Sequence, residues 1–205
     1  MAKTQLVSIS FYKRAGSQAH RLAIISQVSG AAKMFKKQAE EICRFGTKVM
    51  AERIQPSQRI SLNYQDYMIH TSILPNQLVT CLVTTQDYPS RAAHSVISKL
   101  QKDFQDYALP VWETATCDID KNNCGFTKYL KDYMEKYQDA VQADKLSMIE
   151  RDLEETRIQM VENLNSVLAR GEKLEDLIAR SGDLSESARR FAIQAHKVNR
   201  CCLIL

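Results

Sequence analysis

Two adjacent cysteines and one arginine carry the chemistry this sequence offers. Cys201 and Cys202 precede Leu203, Ile204 and Leu205, and the last four of these residues form a C-a-a-X prenylation signal with a second thiol beside it. Arg170 is the eighth of sixteen positions that recur at alternating steps of three and four. They are Leu146, Ile149, Leu153, Thr156, Met160, Asn163, Val167, Arg170, Leu174, Leu177, Ser181, Leu184, Ala188, Phe191, Ala195 and Val198. An average step of 3.5 residues holds one stripe of a helix towards a partner, which is a coiled-coil seam. Twelve of the sixteen are apolar, so the four polar ones need a reason. A guanidinium at the centre of a seam loses its hydration on assembly and costs several kcal/mol unless it is hydrogen-bonded there. A buried polar residue of this kind fixes register and partner set. The bland alternative is that the seam bends away and leaves Arg170 in water.

The elements that must position this stripe fall into two parts. All four prolines lie at or before Pro110, so the remaining 95 residues can run as helix. Upstream, Val7, Ile9 and Phe11 alternate with Ser8, Ser10 and Tyr12, which predicts a half-buried strand, and residues 21–26 a second one in a hairpin. From Phe35 to Met50 the period changes to three and four, predicting an amphipathic helix of about six turns that ends before Pro56. Strands are expected at 67–73 and 78–85 around a turn at Pro75-Asn76, with another possible at 59–62. A second helix opens at Tyr88-Pro89-Ser90-Arg91, residues 108–125 read as loop, and a third helix begins near Phe126. The expectation is an α+β domain over residues 1–135 with antiparallel hairpins covered by helices. A helical coiled-coil segment follows over 140–200, and 201–205 form the lipidation tail.

Composition excludes several classes. A net charge of +4 with no basic, aromatic-interleaved stretch argues against nucleic acid. No stretch approaches the roughly 18 apolar residues of a membrane span, no secretory signal opens the chain, and Ala2 excludes myristoylation. The expectation is a cytoplasmic chain attached to membranes only through its C-terminal cysteines. Cys43 and Cys81 read as buried thiols, and the scattered histidines and the Cys117/Cys124 pair give no metal-ligand spacing. No phosphate loop, nucleophile elbow or Cys/His pair is present, so neither enzyme activity nor a small-molecule substrate is expected.

The layers around Arg170, with the segment Leu168-Ala169-Arg170-Gly171-Glu172-Lys173-Leu174-Glu175-Asp176-Leu177, resemble an R-SNARE motif. Tyr88-Pro89-Ser90-Arg91 after a strand, and the order of elements before it, resemble a longin domain of profilin-like fold. The Cys201-Cys202 ending is similar to that of the longin R-SNARE type that lacks a transmembrane helix and is doubly lipidated. The resemblance extends over the whole chain. It implies vesicle-membrane fusion on the cytosolic face of Golgi, ER, endosomal or vacuolar membranes. Arg170 would meet glutamines from three partner helices in a parallel four-helix bundle, where five guanidinium donors suit three amide acceptors. It implies no cofactor beyond covalent lipids, a prenyl group on Cys202 and a reversible palmitoyl group on Cys201. Two lipid signals give stable membrane residence where one does not, and a basic collar (Arg189, Arg190, His196, Lys197, Arg200) suits an anionic leaflet. Members of this type usually end in methionine and take farnesyl, whereas Leu205 favours geranylgeranyl. A prenylated coiled-coil tether without a fusogenic role would share the seam and the lipid.

Length sets a further condition. Residues 146–198 as one helix would reach about 80 Å, against a radius of gyration near about 14 Å for the N-terminal domain. A monomer must leave this segment unfolded or fold it back in pieces, and Gly171 and Gly182 are the natural breaks. The resemblance implies a closed state in which the segment wraps the longin domain. Phe45, at the edge of the first helix's apolar face, would line the receiving groove, with plain core packing as the alternative.

Overall fold

A turn at Gly16-Ser17 joins β1 (Leu6–Ala15) to β2 (Gln18–Ser26), and this hairpin forms one end of a six-stranded sheet. The computed structural model describes residues 6–27, 36–64, 67–108, 110–119, 125–149 and 158–201, without the side chains of 144, 146–149 and 195–201. After α1 (Lys36–Arg53) come β3 (Arg59–Tyr64), β4 (Tyr67–Ile73) and β5 (Leu78–Thr85), then α2 (Ser90–Tyr107), α3 (Thr127–Lys136) and α4 (Ala140–Ile149). The C-terminal part contributes β6 (Ile158–Val161), α5 (Leu174–Arg180) and α6 (Glu186–Cys201). Strand order is β2-β1-β5-β4-β3-β6.

Two expectations about the sheet are corrected. It is mixed rather than antiparallel, because β6 runs parallel to β3, with Arg59 opposite Ile158 and Leu62 opposite Val161. A strand delivered by a long crossover, not by a hairpin, is free to take that direction. Nor is β1 half-buried: Leu6 through Tyr12 are all buried, because helices cover the sheet on both faces. Register shifts at Leu6/Ser8 and Phe11/Tyr12 let Val7 and Tyr12 join the α1 side while Ile9 and Phe11 join the α2 side.

On the α2 side, Phe11 stacks on Phe104 at 4.4 Å between centroids, and Phe126 meets both rings edge-on. The stretch read as loop includes a 3-10 turn at Pro110–Trp112 that buries Trp112 against Phe104. Ala143 of α4 is buried in this same cluster. Beneath α2 lies a polar network: Ser61 Oγ is 2.8 Å from His70 Nδ1 and 3.0 Å from His94 Nε2, and His70 Nε2 is 3.0 Å from Thr84 Oγ1. Burial holds His70 down to about 3 and, with His70 and Arg59 nearby, holds His94 well below its ordinary value.

On the other face α1 lies close to the sheet, five turns long as described, with Phe35 of the expected helix outside the described residues. Gly46 makes the approach possible. A Cβ there would fall 2.8 Å from the Tyr64 ring and 2.9 Å from Ile69 Cδ1. Ile42, Phe45, Val49 and Met50 complete this core.

Candidate partner-binding segment

Residues 158–201 carry twelve of the sixteen predicted seam positions, and their path follows from local chemistry. In this state they are not one helix. β6 is short because Asn163 stops it: its side-chain oxygen accepts from Asn165 N at 3.0 Å and caps a 3-10 turn at Leu164–Val167. The chain turns at Arg170-Gly171, where Gly171 has φ +89°, a conformation that L side chains rarely adopt. Glu175 and Asp176 open α5 with the charge its N-terminus favours. A second turn at Gly182-Asp183 leads to α6, where Ser185 Oγ accepts from Ala188 N at 3.3 Å.

The pieces run antiparallel to α1. Arg53 near its C-terminus forms a forked pair with Glu172, with Nη2 3.1 Å from both carboxylate oxygens. In the middle, Lys48 Nζ meets Asp183 Oδ2 at 2.9 Å. Nearer its start, Glu41 Oε2 accepts from Ser185 N at 2.9 Å. Burial acts to raise the Glu41 carboxyl, but the Ser185 bonds and the Lys37 and Arg44 charges outweigh it and lower it. Burial likewise works against the Lys48 ammonium, and Asp183 more than compensates. Ala169 N and Arg53 hold Glu172 below its ordinary value. Leu164, Leu174, Ile178, Leu184, Ala188 and Ala192 are buried in one cluster with Ile42, Phe45 and Val49.

The predicted residues divide accordingly. Leu174, Leu184 and Ala188 are buried, while Val167, Leu177 and Ser181 are half-buried. Met160, Asn163, Arg170 and Phe191 are exposed. Leu146 and Ile149 lie on α4, and Ala195, Val198 and Cys201 on α6, their side chains outside the description; Leu153, Thr156 and Cys202 lie outside the described residues. Phe45 is buried and lines a cleft of about 270 Å³ between α1 and the tail, with Val49, Leu177 and Arg180 among the other walls. Both glycines foreseen as breaks lie at turns. The sequence reading missed Glu41, Lys48, Arg53, Glu172 and Asp183, which as isolated surface charges carry no distinguishing signal. It also missed Leu164, Ile178 and Ala192, whose regular spacing was a usable one.

Residues 27–150 match the family described as a regulated-SNARE-like domain, longin, and residues 145–204 match synaptobrevin. The chain is 36% identical over 186 residues to the VAMP-like protein YKT61 of Arabidopsis thaliana, covering 90% of each chain. It is 32% identical over 201 residues to the synaptobrevin homolog ykt6 of Schizosaccharomyces pombe, covering 98% of this chain and 99% of that one. The chain belongs to the longin-domain R-SNARE family. An R-SNARE is a trafficking protein and not an enzyme. Among the described residues no helix of this R-SNARE is long and apolar enough to cross a membrane.

Proposed function

We propose that this R-SNARE drives vesicle-membrane fusion by giving residues 146–198 to a parallel four-helix bundle with three glutamine-bearing SNARE helices. Arg170 is its central polar layer. The observation that carries the reading is the state of the seam: Leu174, Leu184 and Ala188 are buried against the N-terminal domain, whereas Arg170 stays exposed. The domain therefore withholds apolar layers without desolvating the arginine, and the bundle supplies the amide acceptors the guanidinium needs. Occupation of the same layers by domain and partners makes the two states exclusive, which is autoinhibition. Prenylation at Cys202 and palmitoylation at Cys201 anchor the protein peripherally to the cytosolic face of its membrane.

Affinity capture from cell extract with the native chain and with Arg170→Ala tests this. Glutamine-bearing SNARE helices are recovered with the native chain and depleted with the variant. Recovery of other coiled-coil proteins unaffected by Arg170→Ala would favour a prenylated tether instead.

A further inference from the structure

Heptad letters separate two stripes on the tail. With Leu146 at position a, the seam occupies every a and d. Three residues buried against the N-terminal domain do not belong to it. Leu164, Ile178 and Ala192 are each 1% exposed, and each follows a seam residue (Asn163, Leu177, Phe191), at position e. They are spaced by 178 − 164 = 14 and 192 − 178 = 14 residues, two heptads each time. Ser185, also at e, gives its backbone N–H to Glu41. The seam residues Met160 and Phe191, by contrast, are 62% and 40% exposed.

We infer that the e row of Leu164, Ile178 and Ala192 is a docking surface dedicated to the N-terminal domain, one that sets how firmly the seam is withheld and contributes little to four-helix assembly. This rests on the reading of the tail as a bundle strand. In a helix e lies about 100° from d, so a bundle centred on a and d leaves e at its flank. In the folded-back tail the turns at Gly171 and Gly182 reorient each piece independently, which lets e residues face α1 and the sheet beside a residues such as Leu174 and Ala188. One sequence thus carries two apolar stripes, used in alternate states. The domain recognises e with a, and d at Leu184, whereas the partners recognise a with d throughout.

Glutamine at an e position separates the two. It retains good helix propensity and stays hydrated at a bundle flank, but where isoleucine is sealed in a core it is an unsatisfied polar group. Leu164→Gln and Ile178→Gln in the full chain should each raise hydrogen exchange of amides 174–184 by about thirtyfold or more. Assembly with three synthetic helices bearing apolar a and d positions and a central glutamine, followed by the gain in helicity, should change less than about threefold. Phe191→Ala, at a seam position 40% exposed in the folded-back tail, should do the reverse: exchange raised by less than about threefold, assembly weakened by about tenfold or more. The near-ultraviolet dichroism of Trp112, on the opposite face of the sheet, reports whether the domain stays folded, and Ala192→Ser repeats the test more mildly if it does not. Unchanged exchange in the glutamine variants, or assembly weakened as much as by Phe191→Ala, would overturn the inference. Failure of the native chain to assemble with any such helices would instead overturn the proposed function, leaving the exchange data to judge the docking surface alone.

Discussion

Lys48 and Asp183 meet at 2.9 Å although 135 positions separate them in sequence. The contact fixes the turn between α5 and α6 over the middle of α1. Their side chains are 33% and 28% exposed, so screening limits the pair to about 0.5–1 kcal/mol. Lys48→Glu should therefore raise exchange of amides 174–184 by about threefold, and adding Asp183→Lys should restore most of the protection. A double-mutant cycle read by hydrogen exchange checks this. Equal effects for the single and the double variant would show that the pair contributes nothing.

Gly46 sets how closely α1 approaches the sheet. Alanine in a helix ordinarily gains about 1 kcal/mol over glycine. Here its Cβ would meet the Tyr64 ring at 2.8 Å and Ile69 at 2.9 Å, and overpacking costs about 1–3 kcal/mol. Both contacts are core side chains, so overpacking wins. Gly46→Ala should lower the urea midpoint, and Tyr64→Leu in the same chain should recover part of the loss.

The buried histidines make the domain acid-sensitive before the tail is. His70 and His94 are held below their ordinary value of 6.5, His70 at about 3. The unfolded chain therefore binds more protons, and stability present above 6.5 is lost as pH falls below it, by up to about 1.4 kcal/mol per unit for each histidine, in the case of His70 down to about 3. Glu41 is lowered from 4.5, so the stability from its hold on Ser185 is fully present above 4.5, where the histidines already titrate, and is lost only as pH falls through its lowered value. Urea unfolding between about pH 5 and pH 7 should show a falling midpoint. His70→Gln with His94→Gln should flatten that slope whatever it does to the absolute stability.

The longin domain was legible because its strands and helices announce themselves by period and by turn chemistry: Pro75-Asn76 and Pro89 lie where β4 and α2 require them. The misreadings are tertiary. Alternation at Val7–Tyr12 could not disclose that both faces of β1 are covered, and no local signal makes Ile158–Val161 a strand, since that segment acquires β structure from the free edge of β3. The seam was read from sequence as a helix stripe, but its closed form depends on Leu164, Ile178 and Ala192, which a search confined to a and d passes over. The distinction is physical. Heptads encode what a helix does with partners, whereas the folded-back path follows from the shape of the domain it must cover.

Under the proposed function the domain-bound and partner-bound tails exclude one another, and the outer edge of β3 reports that exclusion. In the closed chain that edge is covered by β6, with Ile60 opposite Gln159 and Ser61 opposite Met160. Hydrogen exchange of the full chain should be followed at residues 59–64 and 158–192 before and after mixing with the three central-glutamine helices. Amides of β3 should lose protection as those of the tail gain it, at the same partner concentration. Tail amides protected by partners while β3 keeps its original protection would contradict that exclusion.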